Sequence, residues 1–183
     1  MKEISGYLDI TPGDFKEVYV LAFRHAQERL LRRVTAREIM TREVTWVRVD
    51  TPLKEVAELM AQRGISGAPV VDDAGWVVGV ISEKDFLRRM SSKDLTSFMG
   101  LVAECLRDKA CKAPAFRGRR ADELMSSPAV TVTEETPVIE IMKLFKERSI
   151  NRAPVLDAQG RLSGIVSRGD LLGLASCQAG GAP

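Results

Sequence analysis

A single histidine, His25, and three cysteines, Cys105, Cys111 and Cys177, are all this 183-residue chain carries of those residue types. That scarcity excludes histidine-rich metal sites and disfavours a zinc site assembled from scattered cysteines. Any Ser-His-Asp or Cys-His mechanism would have to run through His25, which lies in an expected helix with no nucleophile motif beside it. No cysteine pair forms C-x-x-C, and three cannot all pair with one another. Neither G-x-x-x-x-G-K-S/T nor G-x-G-x-x-G occurs. The longest apolar run, Val18 to Phe23, is far too short to span a bilayer. The start, Met1-Lys2-Glu3-Ile4, lacks the layout of a signal peptide, so reduced thiols in a cytoplasmic protein are expected. Neither charge sign dominates: 27 Lys and Arg face 25 Asp and Glu, for a net +2. A general nucleic-acid binder is therefore not expected. What remains is ordinary for a globular protein, with 45% apolar residues. The composition favours a binding module over an enzyme.

What the chain does contain is itself, twice. Displaced by 85 positions, residues 36–87 fall on 121–172 without a gap. Ala36-Arg37-Glu38-Ile39-Met40 overlies Ala121-Asp122-Glu123-Leu124-Met125, and Thr51-Pro52 overlies Thr136-Pro137. Ile65 to Asp72 overlies Ile150 to Asp157, Gly79-Val80-Ile81-Ser82 overlies Gly164-Ile165-Val166-Ser167, and Asp85 overlies Asp170. Two copies of so long a period indicate two small domains, not a solenoid.

Each copy reads as β-α-β-β-α. The β-rich stretch Val44 to Val49 is matched by Ala129 to Val132. Thr51 is expected to cap a helix with Pro52 at its first position. Leu53, Val56, Ala57 and Met60 mark its buried face, as do Val138, Ile141, Met142 and Phe145 in the second copy. Gly64 suits a left-handed stop, and Ser149 suits it less well. Ala68 to Val71 is a short buried strand, Asp72 to Gly75 a turn, and Trp76 to Ile81 the hairpin partner, with a second helix opening at Ser82. Neither copy is large enough to be stable alone, so the two should pack together.

Ser82-Glu83-Lys84-Asp85 and Ser167-Arg168-Gly169-Asp170 match S-x-x-D, and helix capping alone accounts for both. A strand running into a helix N-terminus is also a place for phosphate, and a carboxylate there can accept from both hydroxyls of a ribose.

The run I-S/N-x-A-P-V-V/L-D, followed by G-x-h-h-G-h-h-S-x-x-D (h, hydrophobic), resembles the cystathionine β-synthase (CBS) domain. It spans Ile65 to Asp72 with Gly75 to Asp85, and Ile150 to Asp157 with Gly160 to Asp170. Two copies in one register resemble the paired CBS arrangement called a Bateman module. The resemblance implies an α+β fold of two β-α-β-β-α repeats packed as a pseudo-symmetric pair. It also implies a non-catalytic regulatory module that binds AMP, ADP or ATP, less so S-adenosylmethionine, in clefts between the copies. By resemblance, Asp85 and Asp170 would hold ribose, with Ser82 and Ser167 near phosphate. Ile65, Pro69, Ile150 and Pro154 would flank adenine, and Thr45 and Val130 would offer it backbone groups. A homodimer is implied as well.

The copies differ in charge. Arg152 and Arg168 of the second stand where the first has Gly67 and Glu83. Arginine grips phosphate oxygens in pairs and glutamate repels them, so a nucleotide should prefer the cleft around the second copy, unless shared residues swap the assignment.

Outside the repeats, residues 1–35 should form an N-terminal helical extension. Its helix starts on Thr11-Pro12-Gly13-Asp14 and carries Phe15, Val18, Tyr19, Ala22, Ala26 and Leu30 on one face, with a strand competing for Val18 to Phe23. Residues 88–120 are too long for a plain connection and should hold a helix with Leu95, Phe98, Met99, Val102 and Leu106 on one side. Residues 173–183 should be a fraying tail. The competing functional reading is a structural interaction subunit whose clefts are empty or vestigial. A redox or metal response would rest on the cysteines alone.

Overall fold

The computed structural model describes residues 11–90 and 118–179. The expected helix over Leu95 to Leu106, Cys105 and Cys111 lie outside them.

Helix α1 (Pro12–Arg33) opens on a reciprocal cap in which Asp14 accepts from the Thr11 N–H and Thr11 Oγ accepts from the Asp14 N–H. It is a helix throughout, so Val18 to Phe23 is not a strand. A one-turn helix, α2 (Ala36–Ile39), leads into the first sheet. That sheet contains β1 (Val47–Arg48), β2 (Gly67–Val71) and β3 (Val77–Ser82), with α3 (Leu53–Arg63) between β1 and β2 and α4 (Glu83–Met90) after β3. The second copy repeats the plan after a 3-10 turn at Ala121–Glu123: β4 (Val132–Thr133), α5 (Val138–Arg148), β5 (Arg152–Leu156), β6 (Leu162–Ser167) and α6 (Arg168–Ala179). In each sheet the middle strand pairs parallel with the first and antiparallel with the third. The central position explains the unbroken apolar sequence of β2, buried at every residue.

Local chemistry adjusts several expected boundaries. Thr51 does not cap α3. Its hydroxyl accepts from the Arg48 N–H at 3.0 Å and closes the turn after β1, so the helix begins past Pro52. Thr136 does the same for Thr133. The β-rich stretches shrink to two paired residues each, because the segments before them turn away to meet the other copy. Gly64 and Ser149 both end their helices in the left-handed region, at φ 61° and 53°. Serine tolerates this less well than glycine. The tail expected from residue 173 is helical as far as Ala179, continuing α6 through Ala175 and Ala179, both strong helix formers.

The two copies are joined by exchange. The first copy's leading turn, Ala36 and Met40, is buried in the second copy's core with Val132, Ile141, Phe145, Ala153, Val155 and Val166. The second copy's leading turn reciprocates: Ala121, Leu124 and Met125 pack with Val47, Leu53, Val56, Met60, Val70 and Ile81. Backbone bonds repeat the exchange in register. Ala36 N–H donates to Thr136 O and Ala121 N–H to Thr51 O, both at 2.9 Å. Thr41 bridges Ile165, and Ser126 bridges Val80. Arg37 clasps Glu134 (Nε–Oε2 3.0 Å) and, with Ser163, holds its carboxyl below the usual range.

Candidate functional site

The exchange decides which residues can share a cleft. Thr41 pairs antiparallel with Ile165, two positions before Ser167, so the first copy's leading segment lies beside the strand that ends at the second copy's S-x-x-D. Ser126 pairs antiparallel with Val80, two positions before Ser82, and its hydroxyl reaches the first copy's Asp85.

Ser82 and Ser167 end β3 and β6, and each is fastened to its aspartate. Asp85 Oδ2 accepts from the Ser82 N–H at 2.8 Å and from its hydroxyl at 2.6 Å. Asp170 Oδ2 accepts from Ser167 in the same way, at 2.7 and 2.6 Å. The first helical N–H of each following helix is also taken: Glu83 donates to Ser66 O and Arg168 to Asn151 O. Capping thus accounts for half of each carboxylate.

The other halves differ. Asp85 Oδ1 accepts from Ser126 Oγ at 3.1 Å, and Asp85 is buried, at 8% exposure. Asp170 is half-buried, and among the described residues its second oxygen accepts no hydrogen bond. The equivalent of Ser126 is Thr41, which meets the neighbouring copy through backbone bonds to Ile165. Sequence reasoning missed Ser126. The one signal available was its repeat equivalent, since serine and threonine align there.

The two arginines expected in one cleft are separated. Arg168 is exposed beside Asp170. Arg152 crosses toward the first copy, where its guanidinium donates to Ser66 Oγ and lies over Gly67. Burial lowers its pKa, while the negative charges of Glu83 and Asp85 oppose that shift. Gly67 and Arg152 are repeat equivalents facing each other across the pseudo-twofold, where only one side chain fits. A Cβ on Gly67 would stand 2.6 Å from the Ile81 carbonyl oxygen and closer still to the Arg152 guanidinium. Gly67→Ala should therefore cost about 1–3 kcal/mol. A thermal melt should show it, and adding Arg152→Gly should return only part, because the backbone clash remains.

Pro69 and Pro154 are fully buried in the middle strands, opposite Val80 and Ile165. They are core residues with no open face for an adenine ring, a correction to the expected roles. Ile65 and Ile150 are half-buried against the two cores, and Thr45 and Val130 are half-buried ahead of β1 and β4. Ile65 also lines a groove of about 680 Å³ between α3 and α4, with Met60, Phe86 and Leu87.

A family model for the CBS domain matches residues 36–92 and 121–176, most of the chain. The chain belongs to the CBS-domain family. Both matches run a few residues beyond the gap-free repeat, which ends at 87 and 172. A CBS domain-containing protein of Dictyostelium discoideum is 30% identical over 142 residues, covering 78% of this chain and 91% of that one. The CBS domain of a CBS domain-containing membrane protein from Sphaerobacter thermophilus superposes with a TM-score of 0.64 at 36% identity, covering 86% and 97%. The structure of CBSX2 in complex with AMP gives 0.62 at 28% identity, covering 79% and 98%. Of the full chloroplastic CBSX2 of Arabidopsis thaliana, 26% identical over 133 residues, the chain spans 56%. The architecture is thus a tandem CBS pair, mixed α+β with a three-stranded sheet in each repeat. Among the described residues no helix is long and apolar enough to cross a membrane.

Proposed function

We propose that this CBS pair is a non-catalytic, cytoplasmic regulatory module that binds an adenine nucleotide, AMP, ADP or ATP, at the cleft containing Asp170. S-adenosylmethionine is the less favoured ligand. The carrying observation is the second Asp170 oxygen, half-buried and without a hydrogen-bond partner among the described residues. A ribose diol supplies the O–H donor that oxygen lacks, and bonds to a charged acceptor are the stronger kind. Arg168 beside it gives an anionic tail a cation. The AMP bound by the related CBSX2 supports the ligand class.

The cleft at Asp85 suits the vestigial reading. Ser126 occupies the free carboxylate oxygen, Arg152 fills the space over Gly67, and Glu83 repels phosphate. The nucleotide would hold the two repeats in one arrangement and so change how a homodimer presents itself to a protein partner.

Thermal melting with each of AMP, ADP, ATP and S-adenosylmethionine tests the reading. A nucleotide at 100 times its Kd should raise stability by about 2.7 kcal/mol. No shift with any of the four would leave an interaction subunit with two vestigial clefts.

A further inference from the structure

Helix α1 is 22 residues long and buries none of them. Phe15 is 67% exposed, Tyr19 60% and Phe23 51%, with Val18, Leu21 and Leu30 also open. The Tyr19 and Phe23 rings stack on each other, centroids 6.1 Å apart. Phe15, Tyr19, Phe23, Ala26 and Leu30 follow steps of 4, 4, 3 and 4, the spacing of a helix–helix seam. α1 packs on α5, and its C-terminal end is tied there by Val138 N–H to Val34 O at 2.9 Å. Glu28 and Leu31, the least exposed residues of the helix's last two turns, do not lie on the stripe. Aromatic side chains present about 150–250 Å² each, so the stripe amounts to several hundred Å² of apolar surface. With the rings half to two-thirds exposed, that is roughly half of the ~800 Å² per partner of a stable protein pair, and the exposed Val18 and Ala22 beside the stripe add to it.

We infer that this stripe is covered by the same stripe of a second copy, the two α1 helices packing antiparallel. The direction follows from charge. Arg24, Arg29, Arg32 and Arg33 crowd the second half of the helix, whereas Asp14 and Glu17 outnumber Lys16 in the first. A parallel pair would stack the arginine-rich ends on each other. An antiparallel pair sets each beside an acidic end and opposes the helix dipoles. The twofold then falls at Ala22 and Phe23, with Phe15 near the partner's Leu30. The inference rests on the homodimer reading and is independent of the nucleotide.

Sedimentation and light scattering on the full chain should give twice the chain mass. Tyr19→Glu with Phe23→Glu should halve it while circular dichroism and the nucleotide-induced melting shift persist, because both side chains are exposed. With the three cysteines changed to serine, Ala22→Cys should cross-link to itself. Leu30→Cys should cross-link to Phe15→Cys and not to itself. A monomeric wild type, as when another segment of the same chain covers the stripe, would overturn the inference. So would a dimer that survives both glutamates, or self-cross-linking at Leu30→Cys. Loss of the nucleotide shift in a chain that still pairs through Ala22→Cys would count against the nucleotide reading alone.

Discussion

Replacing Asp170 with alanine should abolish the melting shift produced by the nucleotide, while replacing Asp85 should leave that shift intact. A carboxylate that accepts both ribose hydroxyls loses two charge-assisted bonds, each worth about 1.5–3 kcal/mol. The affinity should therefore fall by roughly a hundredfold or more. For a chain of this size about 1 kcal/mol moves the midpoint 2–4 °C, so saturating nucleotide should shift the wild type by roughly 5–10 °C. The Asp170→Ala midpoint should not move. Without ligand the order reverses. Asp170→Ala removes a cap, at about 1 kcal/mol. Asp85→Ala removes a buried carboxylate that satisfies the Ser82 N–H, its hydroxyl and the Ser126 hydroxyl, and it leaves Arg152 facing Glu83 alone. Leaving the half-buried Ser82 groups unsatisfied costs up to about 1–3 kcal/mol apiece, whereas the exposed Ser126 hydroxyl can turn to water. The less stable variant should thus be the one that still binds. Equal loss of the shift in both variants would mean two equivalent clefts and would remove the argument from Ser126.

The repeat, the β-α-β-β-α succession within it and the S-x-x-D caps are legible because each is written locally. Turn residues, apolar spacing and capping pairs act within a few positions of one another, and comparing two copies separates signal from accident. The S-x-x-D spacing alone specifies the bonds of Ser167 to Asp170. What stayed hidden depends on the pairing of distant segments. Nothing near Asp85 in sequence indicates that Ser126, 41 residues on, takes its second oxygen. Arg152 was grouped with Arg168 because the two flank one motif, yet its side chain crosses the pseudo-twofold to the copy that carries glycine at the equivalent position. Pro69 and Pro154 were misread for a related reason. The repeated A-P-V marks a strand position, but whether that strand is central, and its proline therefore buried, is settled by the sheet. The exchange of leading turns was invisible, because Ala36 to Met40 aligns with the first copy while packing in the second.

That exchange sets the second large expectation. Met40 and Met125 are repeat equivalents, and each lies against the glycine of the other copy's third strand. A Cβ on Gly164 would come within 2.8 Å of Met40 Cγ, and one on Gly79 within 2.9 Å of Met125 Cγ. Met40→Ala should cost about 2–5 kcal/mol, the range for emptying a buried methionine site. Its effect should fall on the copy to which it does not belong in sequence. By hydrogen exchange, Met40→Ala should lower protection in β4, β5, β6 and α5, where Ile141, Phe145, Val155 and Val166 surround it. Met125→Ala should do so in β2, β3 and α3. If each copy owned its leading turn, the pattern would be inverted, with Met40→Ala loosening β2 and β3. Because each core contains part of the other copy, both variants should still unfold in a single transition, at a lower midpoint, and calorimetric and van't Hoff enthalpies should agree. Two resolved transitions would show that the exchanged turns decorate two independent cores. A single cooperative unit is also what would let binding at the proposed Asp170 site reach the surface of the whole pair.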